Sequence, residues 1–187
     1  RGKQAGRRAR GRGPRGAAPL EEAMSLPLVP IKTLLPLAQA DAIATVALEE
    51  ARRLGLSPLA VCVLDSGGHD VVVKREDGCG IMRTDVARAK AWGALGMGAS
   101  SRTLGTMLGD RPAFVGALCA ASDGRFAPVP GGVLVLDADG AAVGAVGVSG
   151  DVSAKDEAVA LAGIAAAGLA SSPAPPPAEG GAAGAAS

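Results

Sequence analysis

Two apolar runs, each ending at an aspartate, constrain the fold of this 187-residue chain more than any other feature of it. Leu59-Ala-Val-Cys-Val-Leu64 is bounded by Pro58 and Asp65, and Asp65-Ser-Gly-Gly68 turns the chain back into Val71-Val-Val73 and Lys74-Arg75. Val133-Leu-Val-Leu136 runs into Asp137-Ala-Asp-Gly140, with its Asp-Gly turn signal, and Ala141 to Ser149 follows. Short continuous runs rich in β-branched residues read as buried strands. Two such runs joined by four turn residues close as an antiparallel hairpin. Gly144 and Gly147 present no side chain in the last strand, which predicts a helix or ligand backbone pressed against it. Phe126 to Val129 reads as a short edge strand closed by Pro130-Gly131-Gly132.

Around the hairpins the period becomes helical. From Pro36, suited to a first turn, Leu37, Ala40, Ile43, Ala44, Ala47, Ala51 and Leu54 recur at three- and four-residue spacing until Gly55 caps the segment. A second helix runs from Thr84 or Asp85 to Met97, with Val86, Ala87, Ala91, Ala94 and Leu95 as a small-residue face that permits close approach to a sheet. Ser100 or Ser101 caps a third helix through Leu108, and Phe114 to Leu118 adds a turn or two. Ser153 or Asp151 caps a last helix carrying Val159, Leu161, Ala162, Ile164, Ala165 and Leu169. The order is helix, two strands, two or more helices, three strands, helix. That is an α+β domain in which helices cover an antiparallel sheet.

The ends differ from this middle. Residues 1–20 carry seven bases and no acid, leaving twelve bases against eighteen acids in the rest. An arm over residues 1–25 with so little apolar surface is expected to be disordered. It reads either as a contact for nucleic acid or a membrane surface, or as sequence upstream of a start at Met24. Residues 171–187 are Pro-, Ala- and Gly-rich and are expected to form a disordered tail. The folded domain is therefore placed at 26–170. Aromatic residues make up 2% of the chain, which argues against base-stacking platforms and leaves the arm as the only nucleic-acid candidate. No run of 18 apolar residues spans a membrane. Cys62, Cys79 and Cys119 are odd in number and widely spaced, so reduced thiols in a cytoplasm are expected rather than a disulfide framework or zinc site.

Several blocks then make the chain recognisable: Ala51-Arg-Arg-Leu-Gly55, Ala60-Val-Cys-Val-Leu-Asp-Ser-Gly-Gly68, Arg75-Glu-Asp-Gly78, Ala87-Arg-Ala-Lys-Ala91, Pro130-Gly-Gly132, Gly144-Ala-Val-Gly-Val-Ser-Gly150 and Lys155-Asp-Glu-Ala-Val-Ala160. In this order the chain resembles the GlcG/HbpS-like family, which also supplies the C-terminal domain of PduO proteins. The resemblance covers residues 36–169. It implies a profilin-like, three-layer α/β/α fold with a five-stranded antiparallel sheet, assembled into dimers or higher oligomers. Some members bind haem or corrinoids, and a few neighbour glycolate or diol utilisation.

Candidate site residues follow from both readings. His69, the single histidine, sits at the first hairpin and offers either an axial imidazole for haem iron or a water-exposed turn residue. Met82, Met97 and Met107 either offer a thioether to a metal or, as methionines near helix spacing more often do, fill the core. Asp156 and Glu157 fall in the first turn of the last helix, where carboxylates favour the positive end of the dipole, or where one of them faces a ligand. Ser149 lacks any nucleophile-elbow or phosphate-loop context. With Gly150 it reads instead as part of an anion site at the helix start, and Gly131 and Gly132 are its neighbours if the last strands pair. Lys90 on the small-residue face either reaches water or fixes a positive charge in a pocket, with Arg75 as a second cation for haem propionates or a small organic acid. Trp92 and Phe114 read as core or interface anchors. Three functions are compatible: a non-catalytic ligand-binding or sensor protein with haem as the implied ligand, an accessory enzyme for a small hydroxy- or oxo-acid, and a structural interaction module.

Overall fold

Helix α1 (Leu37–Arg53) begins behind Pro36 and stops where Gly55 adopts a left-handed φ of 65°, the cap conformation that glycine accepts without a Cβ penalty. Strands β1 (Ala60–Asp65) and β2 (Asp70–Arg75) follow, then helices α2 (Met82–Met97), α3 (Ser101–Leu108) and α4 (Pro112–Ala121). Strands β3 (Gly132–Leu136) and β4 (Ala142–Ser149), helix α5 (Ser153–Ala166) and strand β5 (Ala170–Ser172) complete the domain. This computed structural model describes residues 31–175. The basic arm and the tail beyond residue 175 lie outside the described residues.

The sheet order is β2-β1-β4-β3-β5, with every neighbouring pair antiparallel. The alternation of side chains along each strand divides the core. Val61, Val63, Val133, Val135, Val146 and Val148 pack with Ile43, Ala44, Ala47, Val159 and Ile164 of α1 and α5. Leu64, Leu134 and Ala145 pack on the opposite face with Ala91 and Ala94 of α2. The result is the three-layer α/β/α arrangement with five strands.

The expected glycine effect is present at Gly147 but not at Gly144, where a Cβ would meet the Leu64 carbonyl of the neighbouring strand and the Leu35 side chain, and Gly132 shares it. A Cβ on Gly147 would overlap the carbonyl of Ala87, and one on Gly132 would overlap the carbonyl of Lys90. Helix α2 therefore lies backbone against backbone on β4 and β3, too close for any side chain between them.

Five other expectations are corrected by the structure. Phe126 to Val129 forms no strand. Pro128 and Pro130 have no N–H to give a ladder, and Phe126 instead buries its ring with Leu104 and Leu108 in a separate cluster. The fifth strand is β5, which binds β3 by backbone alone (Leu134 opposite Ser172, Leu136 opposite Ala170) and takes Ser171 and Ser172 out of the expected tail. Helix α2 starts at Met82, before either expected cap, and α4 runs ten residues rather than a turn or two. Met82, Met97 and Met107 fill no core and are 71%, 45% and 67% exposed.

Candidate functional site

Lys90 is carried by α2 to the centre of the sheet face and is neither solvated nor free for a ligand. It is 2% exposed, and its Nζ donates to Asp156 Oδ2 at 2.9 Å and to the Val148 carbonyl at 2.8 Å. Gly131 and Gly132 wrap this pair. A Cβ on Gly131 would stand 2.8 Å from Nζ, and the buried Ser101 Oγ accepts from the Gly132 amide at 2.7 Å. Asp156, 1% exposed, also accepts from the Asp151 amide through Oδ1 and so ties down the start of α5. Burial pushes the Lys90 ammonium below its ordinary pKa, against the upward pull of Asp156. The two charges neutralise one another inside the domain, so this centre is a structural lock.

The second carboxylate behaves differently. Asp156 and Glu157 diverge, as adjacent helical positions must. Glu157 Oε2 receives Arg102 Nε of α3 at 2.5 Å, while its buried Oε1 has no partner among the described residues. Glu157 and Arg102 line a cleft of about 400 Å³ over the outer face of α5, floored by Ala154, Ala158, Leu161, Ala162 and Ala165.

Ser149 and Gly150 close the end of β4. Ser149 Oγ is approached by Arg83 Nη1 at 3.5 Å, and a Cβ on Gly150 would stand 2.5 Å from the Pro58 carbonyl. Arg75 lies on the same sheet face in the row Arg75–Ala60–Ser149. It borders a cavity of about 490 Å³ with Arg52, Pro58, Glu76 and Asp77. Arg75 and Lys90, expected to act together, do not converge on one ligand: Lys90 is spent on Asp156.

At the opposite end of the β1–β2 hairpin stands His69. Asp65 Oδ1 accepts the amides of Gly67 and His69, each at 2.9 Å, and lies 3.3 Å from the imidazole Nδ1. Burial opposes it, but the His69 and Gly67 amides and the imidazole hold the Asp65 carboxyl below the usual carboxylate range. The two turn glycines are cradles. A Cβ on Gly67 would stand 2.9 Å from His69 Nδ1, and one on Gly68 2.9 Å from Trp92 Nε1. The imidazole, 81% exposed, stands over the bare backbone of Gly67, and the indole over that of Gly68. Cavities of about 130 and 190 Å³ flank Trp92, lined by Leu95, Gly96, Met97 and Phe126 among others. Arg125 stacks its guanidinium 4.4 Å above the indole. Among the described residues no three His, Cys, Asp or Glu side chains come together as a metal cluster.

The residues that sequence reasoning missed are Asp65, Arg83, Ser101 and Arg102. Each is placed by its own element, yet acts on a residue on another element or turn position, and no local motif marks Arg83, Ser101 or Arg102. Asp65 alone carried a signal, the Asp-x-Gly-Gly-His spacing of its turn.

Comparison with known proteins is decisive for the family. A model described as "Haem degrading protein HbpS-like" matches residues 35–165. The chain belongs to the HbpS-like family. Among solved structures it is similar to the PduOC:heme complex, at 26% identity and a TM-score of 0.65 over 72% of this chain and 96% of that one. It is also similar to a double mutant of HbpS from Streptomyces reticuli, at 28% identity and a TM-score of 0.61 over 83% and 97% of the two chains. The Klebsiella pneumoniae protein ORFY, at 21% identity and a TM-score of 0.66 over 78% and 97%, shares the fold. No curated protein sequence matches the chain. The HbpS-like chain has no helix among its described residues long and apolar enough to cross a membrane.

Proposed function

We propose that this HbpS-like chain is a non-catalytic ligand-binding or sensor protein, and that haem or a related tetrapyrrole is received at the His69–Trp92 end of the α2 face. One observation carries the reading: an exposed imidazole whose Nδ1 stands 3.3 Å from a carboxylate. A carboxylate at Nδ1 selects the tautomer with its proton there and leaves Nε2 as the free lone pair, the arrangement a metal-binding histidine needs. The donor set suits haem better than a bare ion, because the neighbouring carboxylate, Asp65, is engaged at Nδ1 and leaves the imidazole as a single donor. Trp92 and Met97 supply an apolar wall, and Arg125 supplies a cation at its rim for an acidic substituent. Bound haem would add a redox-active iron; the chain itself contributes the oriented imidazole, the wall and the charge. The family match and the PduOC:heme complex support the same ligand class.

Assembly belongs to this reading. Helix α4 is largely apolar, with Phe114, Val115, Leu118 and Cys119, and none of its residues is buried. Such a face is the natural contact for a second copy, and the three free thiols fit a reducing cytoplasm.

Haem titration tests the proposal. Stoichiometric ferric haem should give a shifted Soret band, and His69→Ala should remove that shift or weaken binding at least tenfold. Asp65→Asn should weaken binding by an intermediate amount, since second-sphere partners of a ligating histidine are worth about 10- to 100-fold. Absence of a Soret shift in the wild-type chain would overturn the ligand, and an unchanged shift in His69→Ala would overturn the axial role.

A further inference from the structure

Among the arginines of the described residues, Arg52, Arg53, Arg88, Arg102 and Arg125 each reach a carboxylate within 4 Å. Arg111 lies 4.4 Å over the Phe114 ring. Arg75 and Arg83 do neither, and the fold brings both to the same end of one sheet face. Arg75 stands opposite Ala60, and Ala60 opposite Ser149. One strand therefore separates Arg75 from Ser149, about 10 Å between backbones. Arg83, in the first turn of α2, holds Nη1 3.5 Å from Ser149 Oγ, at the limit of a hydrogen bond. Burial pushes the Cys79 thiol up, and the fields of Arg75 and Arg83, which both reach it, oppose that shift.

Ser149 is the second, independent sign. Its side chain is buried, with the residue 1% exposed, and its oxygen has that one long approach from Arg83, while its own O–H reaches no acceptor among the described residues. A buried hydroxyl without an acceptor is costly, and an acceptor placed between Arg75 and Arg83 would satisfy it. The nearby carboxylates do not fill this role. Glu76 accepts from Arg52 at 2.8 Å and from the Leu59 amide at 2.7 Å, and Asp156 is held by Lys90. Asp77 stays on the cavity rim with no cation of its own among the described residues.

We infer that Arg75, Arg83 and Ser149 form an oxyanion site, taking the carboxylate or phosphate of a small molecule that enters through the 490 Å³ cavity beside Pro58. Two guanidiniums give the planar, two-pronged donors that both anions accept. Ser149 O–H adds a third donor, and the start of the 16-residue α2 adds positive potential. The site lies at the far end of the hairpin from His69 and does not depend on haem.

NMR titration of the full chain at low ionic strength, with sodium glycolate in one arm and sodium phosphate in the other, tests it. The result expected is a saturable shift of the Cys79, Arg83, Ser149 and Gly150 amides by at least one of the two anions. That binding should weaken at least tenfold in Arg83→Ala and in Arg75→Ala, weaken in Ser149→Ala, and tighten in Asp77→Asn. The anion that saturates at lower concentration names the ligand class. His69→Ala should leave the titration unchanged, so failure here is distinct from failure of the haem reading. Linear shifts with both anions, or equal affinities in the wild type and both arginine variants, would overturn the site.

Discussion

Asp156→Ala should be the most damaging single truncation in this domain, costing about 3–5 kcal/mol as the loss of one partner from a buried ion pair does. For a domain of this size that lowers the melting temperature by about 10–15 °C. The reason is geometric. Lys90 Nζ has no route to water and keeps only the Val148 carbonyl once Asp156 Oδ2 is gone, while the Asp151 amide loses its acceptor as well. The paired variant Lys90→Met/Asp156→Leu should recover most of the loss, because removing both charges also removes the desolvation cost. The pH dependence has a definite sign. The folded-state pKa of Lys90 lies below its ordinary value because of burial. Between that value and the unfolded one near about 10.4 the unfolded chain binds more protons, so stability rises with pH. Without Asp156 the depression deepens and the window widens downward. The deficit of Asp156→Ala relative to wild type should therefore shrink as pH rises from 7 towards 10. Urea denaturation at both pH values checks it, and a cost under about 1 kcal/mol at pH 7 would mean the pair is solvated.

Gly147→Ala should cost about 3 kcal/mol, at the upper end of overpacking penalties. The added methyl would overlap the carbonyl oxygen and carbon of Ala87 and press on Ala91 Cβ. These are backbone atoms of a helix, with no rotamer to yield, so α2 must lift from β4. Lifting it also opens the Gly132–Lys90 approach and the ion pair beneath. Gly116→Ala in α4, where an added Cβ meets nothing, is the control and should be neutral or slightly stabilising. Chemical denaturation decides the matter: a stability within about 0.5 kcal/mol of wild type, the range of ordinary surface changes, would show that α2 does not rest on the strand.

The fold was largely legible because its main signals are local. The two aspartate-ended runs and their turns give both hairpins, and Gly147 of β4 announces the close helix. What escaped depends on distant partners. The strand β5 is Ala-Ser-Ser beside prolines, and only the free edge of β3 makes it a strand. Phe126 looked like strand because its apolar neighbours do, yet the ring goes to a cluster formed by α3. Lys90 was recognisable as a lysine on a small-residue face. Its partner Asp156 is 66 positions away, and nothing near either residue tells that they meet. The sequence reading put Ser149 in an anion site at the start of α5 and paired Arg75 with Lys90 in a separate one, whereas Arg83, in the first turn of α2, holds the position beside the serine.

The central claim is that the ligand sits at the turn end of the α2 face, with the centre of that face locked. Paramagnetic broadening by ferric haem in two-dimensional NMR spectra reads this directly. At substoichiometric haem, the amides of Ser66 to Asp70 and the Trp92 indole N–H should broaden first, while Gly131, Gly150 and Asp151 keep their intensity. Broadening centred instead on Gly131, Gly150 and Asp151, with Gly67 and Trp92 untouched, would contradict it.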